Sequence, residues 1–479
     1  MKTKGFPDII QGGMGVGVSL WPLARAVSRL GGIGVVSGTL VESVVARTLE
    51  MGDVGGHIHR ALAHFPIKEI ADRVIARYFI PGGKARDARL KDIPMFGMSP
   101  DKALVELVVC ANFAEIFLAK YGHRGTVGIN LLEKVQFPTV YALYGAMLAG
   151  VDCVFIGAGI PKQVPAVLHN LSRHEHASYR IDVEGAVPGD DFRLYFDPEA
   201  FSDGKELPML KRPNLFPIIS SPSIIKRFFM DEPEMIQGFV VELNTAGGHN
   251  AMPRGEKRFN WRDEPVYGER DWMDWEGCTA LGLPFWVGGG YASPKKFTGA
   301  VSRGAHGIQV GSIFALCEES GMDRLLRVAA RKMAFREELD VFTSRKASSS
   351  GLPFKVANIP YTLAFASMYN DRSRICDLGR LRAPYKKTDG TVGFRCPAEN
   401  IAAYVAKGGN EEETYDRKCL CNGLLATTGF PQRRPSGYLE PPIVTLGADV
   451  SFIRAFMENE NDAYTAKDAM RYLRGEKMK

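Results

Sequence analysis

Short apolar runs alternate with helix-patterned stretches over the first two thirds of the chain. That alternation limits the fold more than any single residue does. Apolar runs of four to six residues fall at 8–11, 33–37, 126–130, 152–157, 216–220, 238–242, 284–288 and 307–310. Strands separated by helices build a mostly parallel sheet, because a parallel neighbour is reached only through a crossover connection. Eight such strands match a closed α/β barrel of the (β/α)8, or TIM, type. An open doubly wound sheet would show the same alternation. The G-x-G-x-x-G that would open a helix after the first strand of such a sheet is absent in the needed register.

Local signals fill in the plan. A helix is expected over 19–30, with Ser19 as its N-cap and Gly31-Gly32 as its stop. Helical patterns at 67–78 and 102–121, broken by Gly82-Gly83 and by the proline-bounded stretch 94–100, mark the region 39–122 as a helical insertion or lid. A helix is also expected from 161 to about 171. A polar, hairpin-like stretch at 179–212 precedes the fifth strand. After about Gly321 the alternation stops. The expected organisation is therefore a barrel over 1–321 and a C-terminal extension or cap subdomain over 322–479, beginning with a helix at 324–337.

Composition narrows the function classes. Among 479 residues, 45% are hydrophobic and 24% charged, which is ordinary for a globular protein. Lys plus Arg number 60 against 54 Asp plus Glu, and the excess is spread thinly, so no nucleic-acid partner is expected. No apolar run is long enough to span a bilayer, and the opening residues lack a signal-peptide pattern, so a cytoplasmic protein without a membrane partner is expected. In that compartment the eight cysteines are expected to be thiols or metal ligands rather than a disulfide framework. Cys376, Cys396, Cys419 and Cys421 fall late in the chain. Their spacings follow no standard ligand pattern, and no metal site is expected.

Chemistry is concentrated in glycine-rich segments that follow predicted strands. These are Gln11-Gly12-Gly13-Met14, Gly157-Ala158-Gly159, Ala246-Gly247-Gly248-His249 and Gly288-Gly289-Gly290. In a barrel the C-terminal ends of the strands form the active-site face. Glycine there lets the backbone approach a flat ring or a phosphate. Gly289, Gly290, Gly311 and Ser312 follow the last two strands, where barrels commonly bind phosphate, with Ser312 expected as both helix cap and phosphate donor. His249 stands on the same rim, where an imidazole can serve as general acid or base.

Four segments carry a family likeness: Ile9-Ile10-Gln11-Gly12-Gly13-Met14, Ala246-Gly247-Gly248-His249, 285–290 and 307–319. Together they resemble the nitronate monooxygenases, formerly called 2-nitropropane dioxygenases. The FMN-dependent enoyl-acyl carrier protein reductases share that barrel and those motifs. The resemblance implies FMN as cofactor, with Gly12, Gly13 and Met14 lining the isoalloxazine and Asn130 hydrogen-bonding it. It also implies that Gly248 approaches the cofactor, and that Gly289, Gly290, Gly311 and Ser312 hold its phosphate. Gly157 and Gly247 belong to the same glycine-rich rim. His249 matches the active-site histidine, which in the monooxygenases assists in binding or deprotonating the nitro compound. Leu243 and Thr245 stand where these families carry a glycine and an acidic residue.

The leading expectation is oxidation of a nitronate or nitroalkane with dioxygen. The alternatives are an NAD(P)H-dependent enoyl reductase of lipid or polyketide metabolism and a flavin-holding partner protein. The partners expected are thus a small-molecule substrate with dioxygen or NAD(P)H, and a homo-oligomer is compatible with the sequence.

Overall fold

A computed structural model describes residues 5–85, 87–232 and 235–477. The outer limits of the expected divisions, residues 1 and 479, lie outside the described residues. Eight strands close into a barrel: β1 Ile9–Gln11, β2 Ile33–Ser37, β3 Val127–Leu132, β4 Cys153–Gly157, β5 Asn214–Ile219, β6 Phe239–Glu242, β7 Phe285–Gly288 and β8 Gly307–Val310. Each pairs in parallel with its neighbours in sequence, and β1 closes the ring on β8 through Ile9↔Ile308 and Gln11↔Val310. The open sheet is excluded.

Two-residue periodicity sorts the strand side chains. Ile10, Val35, Phe155, Phe216, Val240 and Trp286 point into the barrel and form one buried cluster. Phe6 packs edge-on against Phe216 and Trp286, and the Trp286 indole donates to the Pro7 carbonyl at 3.1 Å. The chain just before β1 thus plugs one end of the barrel. The alternate residues, among them Ile9, Val36, Val154, Val241 and Ile308, face the surrounding helices.

Helix positions follow from close packing. A Cβ on Gly34 of β2 would collide with the Ala24 carbonyl of the helix Trp21–Arg29, so that helix lies directly on the strand. The helix Lys102–Lys120 begins at Asp101, whose carboxylate accepts from the amides of Ala103 and Leu104. It packs against Trp21–Arg29 on one side and Thr139–Leu148 on the other, the latter touching it at Gly145. Ser19 is not the helix cap. The helix starts two residues later, and the Ser19 hydroxyl instead accepts the Met14 amide at 2.8 Å.

The region beyond residue 321 contains the expected helix, here Arg324–Phe335, and two antiparallel hairpins that the sequence did not signal. One pairs Val341–Ser344 with Phe354–Ala357, and the other pairs Ala383–Lys386 with Val392–Arg395. Val444, Leu446, Phe452, Met470 and Leu473 share the buried apolar cluster of the barrel's outer layer. A buried ion pair, Arg380 with Glu42 at 2.6 Å, joins this region to the helix Val41–Glu50. Among the described residues no helix is long and apolar enough to cross a membrane.

Candidate active site

The C-terminal rim of the barrel opens onto a cavity of about 1540 Å³, counting the open space at its mouth. Gly12, Gly13 and Met14 line it after β1, Asn130 from β3 and Gly157 from β4. Gly247, Gly248 and His249 line it after β6, Gly289 and Gly290 after β7, and Gly311 and Ser312 after β8. Every residue the sequence placed in the site is therefore brought to one cavity.

The β1 loop forms one wall. The Gly12 amide donates to the Val310 carbonyl at 2.9 Å, the Met14 amide to Ser19, and the Ser19 amide back to the Met14 carbonyl at 3.1 Å. The Gly12, Met14 and Ser19 amides are thus engaged within the chain. Asn130 lies directly beneath it: a Cβ on Gly13 would run into the Asn130 Cβ. The Asn130 side-chain amide donates to the Phe155 carbonyl at 3.3 Å.

The adjoining wall, formed after β7 and β8, has the character of an anion site. Gly289 and Gly290 adopt φ of +95° and +73°, a conformation L side chains rarely take. The short helix Ser312–Ala315 starts beside them, and its first amides have no acceptor within the helix. Ser312 is not its cap. Gly311 holds that position, and the Ser312 hydroxyl accepts the Gly447 amide at 2.7 Å, so the expected role of Ser312 as cap is corrected. The Lys296 ammonium stands by the same loop, 2.6 Å from the Gly290 carbonyl and 2.7 Å from Asp449. The sequence reading passed over Lys296, although it opens the helix after a triple glycine. The β1 loop beside a glycine turn, a helix start and a lysine fits a phosphorylated ring cofactor such as FMN.

Two titratable side chains face the cavity from β6 and its loop. Glu242 ends the strand, and among the described residues its carboxyl has no hydrogen-bond or charged partner. Burial pushes it up to about 8, so it is mostly protonated at neutral pH. Burial pulls the His249 imidazole down to about 4, so it is neutral there. Its Nε2 lies 2.7 Å from the Ser348 hydroxyl, which lies 2.7 Å from that of Ser350, and its ring packs edge-on against Phe354. Sequence reasoning missed Glu242. The available signal was a carboxylate ending an otherwise apolar strand on the functional rim.

The late region completes the site. The Lys355 amide donates to the Gly248 carbonyl and the Asn250 amide to the Pro353 carbonyl, which lays the His249 loop along the first C-terminal hairpin. The Gly248 amide donates to Thr445 and the Ala448 amide to the Thr245 carbonyl. Phe354, Leu381, Leu420 and Leu424 add an apolar roof.

No protein-family profile and no curated protein sequence matches this chain. Among solved structures, FabK from Thermotoga maritima is 14% identical, with a TM-score of 0.48 over 98% of this chain and 91% of that one. The enoyl reductase domain of MlnA, from the macrolactin biosynthesis cluster of Bacillus amyloliquefaciens, is 11% identical, with a TM-score of 0.46 over 98% of this chain and 94% of that one. Nitroalkane oxidase from Streptomyces ansochromogenes is 14% identical, with a TM-score of 0.34 over 73% of this chain and 76% of that one.

Proposed function

We propose that the chain is an FMN-dependent oxidoreductase that reduces an uncharged, conjugated carbon–carbon double bond, with NAD(P)H as the source of electrons. The observation that carries this reading is the neutrality of the two titratable groups of β6 and its loop. Protonated Glu242 and neutral His249 sit under an apolar roof. A nitronate is an anion and asks for a cation. The lining cation, Arg380, is engaged by Glu42 and by the Leu378 carbonyl. The alternative raised by the sequence therefore moves ahead of nitronate oxidation.

Bound FMN supplies hydride transfer. Gly289, Gly290, the start of the helix Ser312–Ala315 and Lys296 would hold its phosphate, and the Gly12–Met14 loop over Asn130 would support its ring. Reduction of a conjugated double bond adds a hydride to one carbon and a proton to the other. Glu242 holds a proton in the cavity at neutral pH, where a general acid is needed. His249 and Ser348 form a neutral hydrogen-bonding pair that orients a substrate carbonyl. Leu381, Leu420, Leu424 and Phe354 exclude water from the reacting atoms.

The test is anaerobic. Protein loaded with FMN is mixed with NADH, NADPH or a nitronate, and flavin absorbance is followed. Bleaching by NADH or NADPH, reversed by an enoyl thioester, is expected. Bleaching by the nitronate alone would return the assignment to nitronate oxidation, and failure to take up FMN would end both readings.

A further inference from the structure

The loop between the paired strands Val341–Ser344 and Phe354–Ala357 carries three serines, Ser348, Ser349 and Ser350. Ser348 is fully buried and Ser350 half-buried. His249 Nε2 lies 2.7 Å from the Ser348 hydroxyl, and that hydroxyl lies 2.7 Å from the Ser350 hydroxyl. Both sides of this contact are held in place. Arg417 donates to the carbonyls of Lys346 and Ser348, and the Lys418 amide donates to the Ala347 carbonyl at 3.0 Å. His249 is bridged to Phe354 of the same hairpin.

A serine hydroxyl has one proton to donate and two lone pairs with which to accept. The Ser348 oxygen accepts the Ser350 amide at 3.2 Å, and the Ser350 oxygen accepts the Leu352 amide at 3.4 Å. Two arrangements of the remaining protons are then open. In the first, Ser350 donates to Ser348, and Ser348 donates to a bare Nε2. Both hydroxyl protons then have protein acceptors, and the imidazole carries its own proton on Nδ1. In the second, a protonated Nε2 donates to Ser348, and Ser348 donates to Ser350. The Ser350 proton then has no acceptor among the described residues and is left to solvent. The first arrangement satisfies more donors within the chain, and unmatched donors in a half-buried loop are costly.

Burial keeps the His249 imidazole uncharged at neutral pH. Its Nδ1 has no hydrogen-bond partner among the described residues, and the residue lines the large cavity. We infer that Ser348, backed by Ser350, is a positioning residue that fixes the His249 imidazole in the tautomer with its proton on Nδ1. The hydrogen bond made at one ring nitrogen decides which nitrogen carries the proton. Nδ1–H then offers the cavity an uncharged donor, which suits a carbonyl oxygen and not an N–H or O–H. The tautomer follows from the hydroxyl chain alone. That the carbonyl belongs to an enoyl thioester rests on the reaction proposed above.

The full chain containing isotope-labelled histidine, with and without FMN, is followed by nitrogen NMR, and His249→Gln identifies the ring signals by their loss. At neutral pH the wild type should show Nδ1 as the protonated nitrogen and Nε2 as the bare one. Ser348→Ala should shift both signals toward the reverse tautomer, and Ser348→Thr should keep the wild-type pattern. Ser348→Ala should also raise KM for an enoyl thioester roughly tenfold while kcat stays within a few-fold. A wild type protonated on Nε2, or an unshifted pattern in folded Ser348→Ala, overturns the assignment. The expected pattern and its shift, found in a protein that does not turn over enoyl thioesters, uphold the tautomer and overturn only the proposed reaction.

Discussion

The amide of Gly248 donates to the hydroxyl of Thr445 at 2.7 Å, across 197 residues of sequence. That bond holds the turn before His249 against the segment that carries Leu446 and Gly447 into the cavity. The barrel rim and the late region thus form a single site. Thr445→Val keeps the shape and removes the acceptor, at a cost of about 1–3 kcal/mol for a donor left unsatisfied. The expected outcome is FMN binding weakened roughly five- to a hundredfold, measured by flavin titration, with Thr445→Ser close to wild type. Equal affinity in Thr445→Val would mean that the loop holds its shape without this tie.

Glu242 sets the alkaline limit. Its folded carboxyl is raised to about 8, so the native state retains a proton that the unfolded chain releases at lower pH. Stability should therefore fall as pH rises from the ordinary carboxylate range to about 8. Turnover that uses this proton should fall over the upper end of the same window. Glu242→Gln should flatten both profiles, raising the melting temperature relative to wild type at pH 8 and slowing turnover roughly a hundredfold at pH 7. An unchanged alkaline limb of the rate profile in Glu242→Gln would remove the residue from proton transfer.

His249 behaves in the opposite sense. Its folded imidazole is depressed to about 4, so between the ordinary imidazole range and 4 the unfolded chain binds a proton that the native state does not. Acid should reduce stability across that window, and His249→Gln should lessen the loss. Between pH 5 and 7 the rate profile should carry no ionisation belonging to His249. As an orienting hydrogen bonder it should act mainly through KM, with His249→Ala still retaining FMN. A rate loss on acidification that disappears in His249→Gln would show that the imidazole does titrate in turnover.

The barrel was legible because its strands are buried on both faces and read as continuous apolar runs between turn signals. Expected bounds fell within two residues of those observed, as with 126–130 for Val127–Leu132 and 216–220 for Asn214–Ile219. The helix Thr139–Leu148 escaped notice because it is apolar around nearly its whole circumference and shows no stripe. The glycine rim was legible because strand ends share one face of a barrel. Glu242 was not, since its lack of a partner depends on neighbours distant in sequence. Nor was the role of Ser312, whose hydroxyl is claimed by Gly447. The convergence of Cys376, Cys396, Cys419 and Cys421 depends on hairpin and loop paths that spacing alone does not encode.

Gly13 and Gly157 line the same cavity but differ in what a methyl group would meet. At Gly157 a Cβ would stand 3.4 Å from the Ile218 Cβ, close to ordinary contact. At Gly13 it would overlap the Asn130 Cβ, which is fixed to the β3 backbone and cannot swing aside. Gly13→Ala must therefore lift the β1 loop off β3, against the pairs of hydrogen bonds that tie Met14 to Ser19. Overpacking of this kind costs about 1–3 kcal/mol. The strain falls on the wall proposed to support the flavin ring, so FMN affinity should drop by roughly tenfold or more, while Gly157→Ala stays within a few-fold of wild type. Removing the obstacle supplies the check. In Gly13→Ala/Asn130→Gly the two changes should couple, with flavin binding stronger than the sum of the single effects predicts. Additive losses would mean that the contact between Gly13 and Asn130 does not shape the ring-binding wall.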